Sequence, residues 1–236
     1  MKPVKAIFFD MDHTLIDCLT ADTRSYEIVA RIARQQIPQI NTPELIHRFK
    51  QLMKDAPFDT EKRIPVHPWR VGLWQKALNA QGVNHAGLAE KLNITFHSDR
   101  LAFYTFTNDV QDLLNQLLQK YTGVIITNGD PVIQRPKLKA CQAEKYFRHI
   151  IVGGEEPLEK PHPEIFFKAC EVANCQPSEA IMVGDRLNTD IAGGLNAGLK
   201  ATVWVNPSNE SVSDEQNRPH YQIISVLELP AILNLL

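Results

Sequence analysis

Five short apolar runs punctuate the chain: Val4 to Phe9, Gly123 to Thr127, Ile150 to Val152, Ala180 to Val183 and Ala201 to Val205. None shows the polar alternation of a half-solvated strand, and each is bounded by turn residues, as expected of strands buried on both faces of a parallel sheet. Between them the period changes. Asn108 to Lys120 places Val110, Leu113, Leu114, Leu117 and Leu118 on one helical face, and Pro163 to Val172 does the same with Ile165, Phe166, Ala169 and Val172. Strand and helix therefore alternate from about residue 105 onward. The pattern predicts an α/β fold, a Rossmann-like parallel sheet flanked by helices and wound with right-handed crossovers.

The stretch from Ala21 to about Phe96 is patterned differently. Ile28, Val29, Ile32 and Ala33, then Leu45, Ile46, Phe49 and Leu52, then Val71, Trp74 and Leu78 recur at helical spacing with no strand among them. This predicts an inserted all-helical module over 18–97, with 1–17 and 98–236 forming the α/β core. The Pro-containing loop Ala56 to Pro68 is expected to divide the insert into helical hairpins.

Length and charge narrow the function more than the fold. A chain of 236 residues can bury a sizeable core as one large domain or a core with an insert. Its 25 Lys+Arg against 27 Asp+Glu leave no basic face for nucleic acid and no acidic tail. Cys18, Cys141, Cys170 and Cys175 form no C-x-x-C pair and read as buried free thiols of a reducing cytosol. MKPVKAIFF is too short for a signal-peptide core, and no stretch is long and apolar enough for a bilayer, so the expectation is a cytoplasmic protein with no membrane partner, monomeric or homodimeric. The histidines lack metal-ligand spacing, and no G-x-x-x-x-G-K-[ST] marks a P-loop.

Candidate chemistry collects where the apolar runs end. Asp10 and Asp12 follow the first run, so they are expected at the carboxyl end of a buried strand, where open α/β sheets gather ligands. A bare D-x-D-x-T is equally a turn whose aspartates bond their own backbone. Thr127, Asn128 and Gly129 end a second run, offering a hydroxyl, an amide and backbone N–H groups to phosphate oxygens, or else a loop cap. Asp185 follows a third run. Asp190, five residues on, suits either a helix cap or a place beside a metal or lysine. Lys160, in the turn-rich GGEEPLEKPHP, suits a solvated surface or an inward-facing loop.

Electrostatics gives these groups a reason to meet. A carboxylate approaching a phosphate meets repulsion of about 4 kcal/mol per unit-charge pair at roughly 4 Å and an effective dielectric near 20. Magnesium suits an all-oxygen site with one or two protein carboxylates, which Asp10 and Asp185 supply, and Lys160 adds a second positive charge.

With these motifs in this order, FFDMDHT, VIITNGD, EKPHPEIF and IMVGDRLNTD, nearly the whole chain resembles the haloacid dehalogenase superfamily. The resemblance implies Asp10 as the nucleophile that forms an aspartyl-phosphate and Asp12 as acid and base, its backbone carbonyl joining Asp10 and Asp185 around Mg2+. It further implies that Thr127, Asn128, Gly129 and Lys160 hold the phosphoryl group while Asp190 orients the metal site or Lys160. An acid at position 12 separates phosphatases and phosphomutases from the dehalogenase members. The insert resembles a C1-type cap that closes over small substrates. GGEEPLEKPHPEIFFKAC and MVGDRLNTDIAGGLNAGLKATVWVN look most like the N-acylneuraminate-9-phosphatase-like and related nucleotidase branch, and no substrate is carried over with that likeness. The expected activity is a magnesium-dependent phosphatase of a small phosphorylated metabolite. The alternatives are a phosphomutase, or a metabolite-binding protein without turnover. His13 reads as a loop side chain. Arg63, His67, Trp69, Arg70 and Trp74 read first as helix packing and second as a contact to a sugar or base.

Overall fold

The structure is a computed structural model that describes residues 2–55, 64–211 and 217–236. It divides into two compact units, Met1–Cys18 with Tyr104–Leu236, and Leu19–Phe103. The boundary at Phe103 lies beyond the residue 97 expected from periodicity. Ser98 to Ala102 contain no helix breaker, and the last helix of the insert runs on through them to Ala102.

The first unit is built on six parallel strands: β1 Ala6–Phe9, β2 Thr122–Thr127, β3 His149–Val152, β4 Ala180–Gly184, β5 Ala201–Val205 and β6 Tyr221–Ile223. Their order is β3-β2-β1-β4-β5-β6. Every residue of β1, β4 and β5 is buried, which explains their unbroken apolar sequences. Beneath the sheet lies a cluster that includes Phe8, Val124, Ile126, Ile165, Phe166 and Met182. Burying each such large side chain contributes roughly 1.5–3 kcal/mol. Strand β6 had no counterpart among the apolar runs, because it is a three-residue edge strand with only Ile223 buried.

Strand order positions the site. From β1 the chain winds outward through β2 to β3, then crosses back to β4 on the other side of β1 and continues to β5 and β6. The winding reverses between β1 and β4, and the crevice at the carboxyl ends of such a pair is where open α/β sheets take ligands. Phe9 lies opposite Val183 and Ile125, so the residues that follow β1, β2 and β4 emerge on one edge.

The helical unit contains most of α1 Cys18–Gln36, with α2 Thr42–Asp55, α3 Val66–Asn79 and α4 Ala86–Ala102. Its core is aromatic: Trp74 stacks on Phe49 with ring centres 3.7 Å apart, and Tyr26 stacks on Phe96 at 4.8 Å. Trp74 is fully buried, and Trp69 packs against the same cluster. Most of the expected loop, with Arg63, lies outside the described residues, and α3 already begins at Val66. His67 meets His97 edge to face at 5.0 Å.

Candidate active site

Lys160 is the hub of the edge. Its side chain is 1% exposed, and its Nζ lies 2.6 Å from Asp10 Oδ1, 2.7 Å from Asp190 Oδ1 and 2.6 Å from the carbonyl oxygen of Ile126. Burial works against its ammonium, yet the carboxylates of Asp10 and Asp190 together hold its pKa above the ordinary lysine value. The loop carrying it is clamped to the end of β2. Asn128 Nδ2 donates to the Lys160 carbonyl at 2.7 Å, and the Lys160 N–H donates back to Asn128 Oδ1 at 3.0 Å. The Asn128 amide, expected to face phosphate, thus binds the lysine loop.

Gly129 also differs from expectation. Its φ of +112° needs a residue without a Cβ, but its N–H is not bare, because it donates to Glu159 Oε2 at 3.1 Å. Thr127 Oγ1 accepts from Gln134 Nε2 at 2.7 Å. That bond uses an acceptor lone pair, so the hydroxyl keeps its own hydrogen to donate to a ligand oxygen.

On β4, Gly184 is required sterically, since a Cβ there would collide with the Asp190 carboxylate. Asp190 Oδ2 accepts the Arg186 N–H at 3.0 Å, and the intervening backbone, Leu187–Ile191, makes a single π-helical turn before α8 Ala192–Asn196. Asp190 therefore points back at the sheet edge rather than capping α8. Trp204 on β5 donates its indole N–H to the Asp185 carbonyl at 2.8 Å.

Oxygens of Asp10, Asp185 and Asp190 lie within 4.8 Å of one another. Burial pushes the Asp10 carboxyl up to about 8; Lys160 opposes the rise, while Asp190 and Asp12 add to it. Burial and Asp190 likewise raise Asp185. Three clustered carboxylates beside one ammonium form a hard, all-oxygen donor set. A hard divalent cation fits it.

Asp12 stands slightly apart. Its Oδ2 accepts from Lys137 Nζ at 2.6 Å and from Gln134 Nε2 at 3.3 Å, while the Cys18 thiol reaches Oδ1 at 3.4 Å. Its side chain is therefore directed to α6 Pro131–Ala140, not into the acidic triad, which Asp190 joins instead. His13, exposed and left-handed at φ 60°, is a loop side chain, as expected. Gln134, Lys137 and Glu159 enter the site unannounced, and Trp204, read from sequence as core, is buried but also bonds the Asp185 backbone. The available signal was in α6, whose buried face mixes Gln134 and Lys137 with Ile133 and Leu138.

The four cysteines are free, and no helix among the described residues is long and apolar enough to cross a membrane. Residues 4–198 match the family model of the haloacid dehalogenase-like hydrolases. The N-acylneuraminate-9-phosphatase of Rattus norvegicus is 39% identical, the match covering 99% of this chain and 95% of the relative. The glyceraldehyde 3-phosphate phosphatase of Pyrococcus furiosus is 30% identical over 100% of this chain and 94% of its own. Among solved structures, the HAD-hydrolase YfnB of Bacillus subtilis, described as bound to magnesium, superposes with a TM-score of 0.77 at 24% identity, covering 99% of this chain and 100% of that one.

Proposed function

The chain belongs to the haloacid dehalogenase-like hydrolases, and from that premise we propose that it is a phosphoric monoester hydrolase working through an aspartyl-phosphate on a small phosphorylated metabolite. The observation that carries this is Lys160, buried and bonded to both Asp10 and Asp190 at the switch point of the sheet. An ammonium so placed neutralises charge on a transferring phosphoryl group without reorganising during the reaction.

In this reading Asp10 attacks phosphorus. Lys160 and the Thr127 hydroxyl hold the phosphoryl oxygens, and Asn128 and Gly129 shape the loop that presents Lys160. Asp190 orients Lys160. Asp12 gives a proton to the leaving oxygen and later takes one from the attacking water. Asp10, Asp185 and the Asp12 backbone carbonyl would hold Mg2+, which would supply charge to offset repulsion between carboxylate and phosphate. The helical unit is assigned as a C1-type cap contributing specificity. Free thiols throughout support a reducing, cytoplasmic setting.

The relatives' names suggest which substrates to try first: N-acylneuraminate 9-phosphate and glyceraldehyde 3-phosphate, each phosphorylated at the end of a hydroxylated chain. A screen of such esters with Mg2+ should release inorganic phosphate, and Asp10→Asn should lose about 10⁴-fold or more in kcat. Added Mg2+ should raise the melting temperature of the wild type and not of Asp185→Asn. Full activity in Asp10→Asn, or transfer of the phosphate to a second sugar hydroxyl instead of water, would overturn the assignment.

A further inference from the structure

Lys137 is out of character with its surroundings. Its side chain is 6% exposed on the inner face of α6, between the apolar Ile133 and Leu138. An ammonium taken out of water costs several kcal/mol unless it is paired. Its partners include Asp12 Oδ2 at 2.6 Å and the Tyr104 ring, whose centre is 5.1 Å away. Stability alone does not account for such a pair, because an apolar residue of similar volume fills the same space without desolvating a charge.

What the pair does supply is orientation. Asp12 lies three residues beyond the end of β1, and the torsion that turns its carboxylate plane is intrinsically broad. A fixed cation on one oxygen removes that freedom. Gln134, one helical turn before Lys137, adds a second donor to the same oxygen, and its Nε2 also lies 2.7 Å from Thr127 Oγ1 and 2.9 Å from the Asn128 carbonyl. One face of α6 thus sets Asp12 and the Thr127 hydroxyl in register with each other.

Resting on the phosphatase reading above, we propose that Lys137 is the positioning residue of the acid–base step: by holding Asp12 Oδ2 it fixes the carboxylate plane and leaves Oδ1, which the Cys18 thiol contacts at a long 3.4 Å, to exchange a proton with the reacting oxygens. In the first half-reaction the Oδ1 proton passes to the ester oxygen as the P–O bond breaks and the bond from Asp10 to phosphorus forms. In the second, water gives a proton to Oδ1 while its oxygen bonds to phosphorus. The bond to Asp10 then breaks, releasing phosphate and restoring the Asp10 carboxylate.

Leaving-group dependence tests this, since nitrophenolate departs without a proton and an alkoxide does not. In Lys137→Met, kcat/KM for a primary alkyl phosphate should fall about 100-fold, and for p-nitrophenyl phosphate less than about tenfold. Lys137→Arg, which keeps the cation, should recover part of the alkyl activity. Should the methionine variant fail to fold by circular dichroism, Lys137→Gln carries the same comparison. Equal losses on both esters, or no loss on either, would overturn the role of Lys137 while leaving the phosphatase assignment intact. A wild type inactive on both esters would overturn the assignment and this role with it.

Discussion

The two units of the molecule bury different kinds of residue. Among the described residues, every buried charged side chain belongs to the α/β unit: Asp10, Lys137, Lys160, Glu179 and Asp190. The helical unit buries only neutral polar groups, Ser25, Thr42 and Asn93, around its stacked aromatic rings. Burying a charge opposes folding unless partners compensate it. The α/β unit accepts that cost chiefly around the carboxyl edge of its sheet, with Glu179 apart from the others just before β4 and paired with Lys5, and the helical unit avoids it. The difference separates a unit organised around a reaction from one organised around packing.

Replacing Lys160 gives this contrast its hardest test. Lys160→Met leaves Asp10 and Asp190 facing each other without the ammonium, and breaking a buried pair from one side typically costs about 3–5 kcal/mol. Urea unfolding should show that loss, and kcat should fall at least about 10²–10³-fold with the charge stabilisation gone. A variant as stable and active as wild type would erase the distinction between the units. In the helical unit the matching change is Trp74→Ala, which removes the stacking partner of Phe49. It should cost about 3–5 kcal/mol of stability through the cavity it opens, and a loss below about 1 kcal/mol would show that the aromatic stack does not hold the unit together.

A third variant sharpens the comparison within a single helix. Arg135 is two residues from Lys137 and pairs with Glu155, but its side chain is 44% exposed. Glu155 bonds to it and is held below the ordinary carboxylate range by that bond. Because water screens such a pair, Arg135→Ala should change stability by less than about 1 kcal/mol and leave kcat unaltered.

How much could be read in advance follows from the same contrast. Asp10, Thr127 and Asp185 were legible because each ends an apolar run, and a run buried on both faces has a definite carboxyl end. The α5 helix, Asn108–Leu117, and α7, Pro163–Val172, were legible from period alone. Lys137 was not. On α6 it sits in PVIQRPKLKA, where two prolines and four polar residues blur the apolar stripe. Its partner, Asp12, is 125 residues away in the chain, and only the pairing of β1 with β2 brings them together. The Asn128 amide was misdirected for a related reason: its composition permits phosphate binding, but the Lys160 backbone, 32 residues on, occupies both its atoms. Local pattern reveals where a strand delivers a side chain, and long-range bonding decides which neighbour receives it.

The indole of Trp204 has one more consequence. Its N–H is bonded to the carbonyl of Asp185, whose carboxylate belongs to the acidic triad. The chain's other two tryptophans, Trp69 and Trp74, lie in the helical unit. A chromophore is therefore joined to the proposed cation site by a single backbone group, so a charge bound at Asp185 would change the field at the indole. Titrating Mg2+ into the protein should therefore change the indole emission with no substrate present and no label attached, and an emission unmoved by Mg2+ would count against a cation at Asp185.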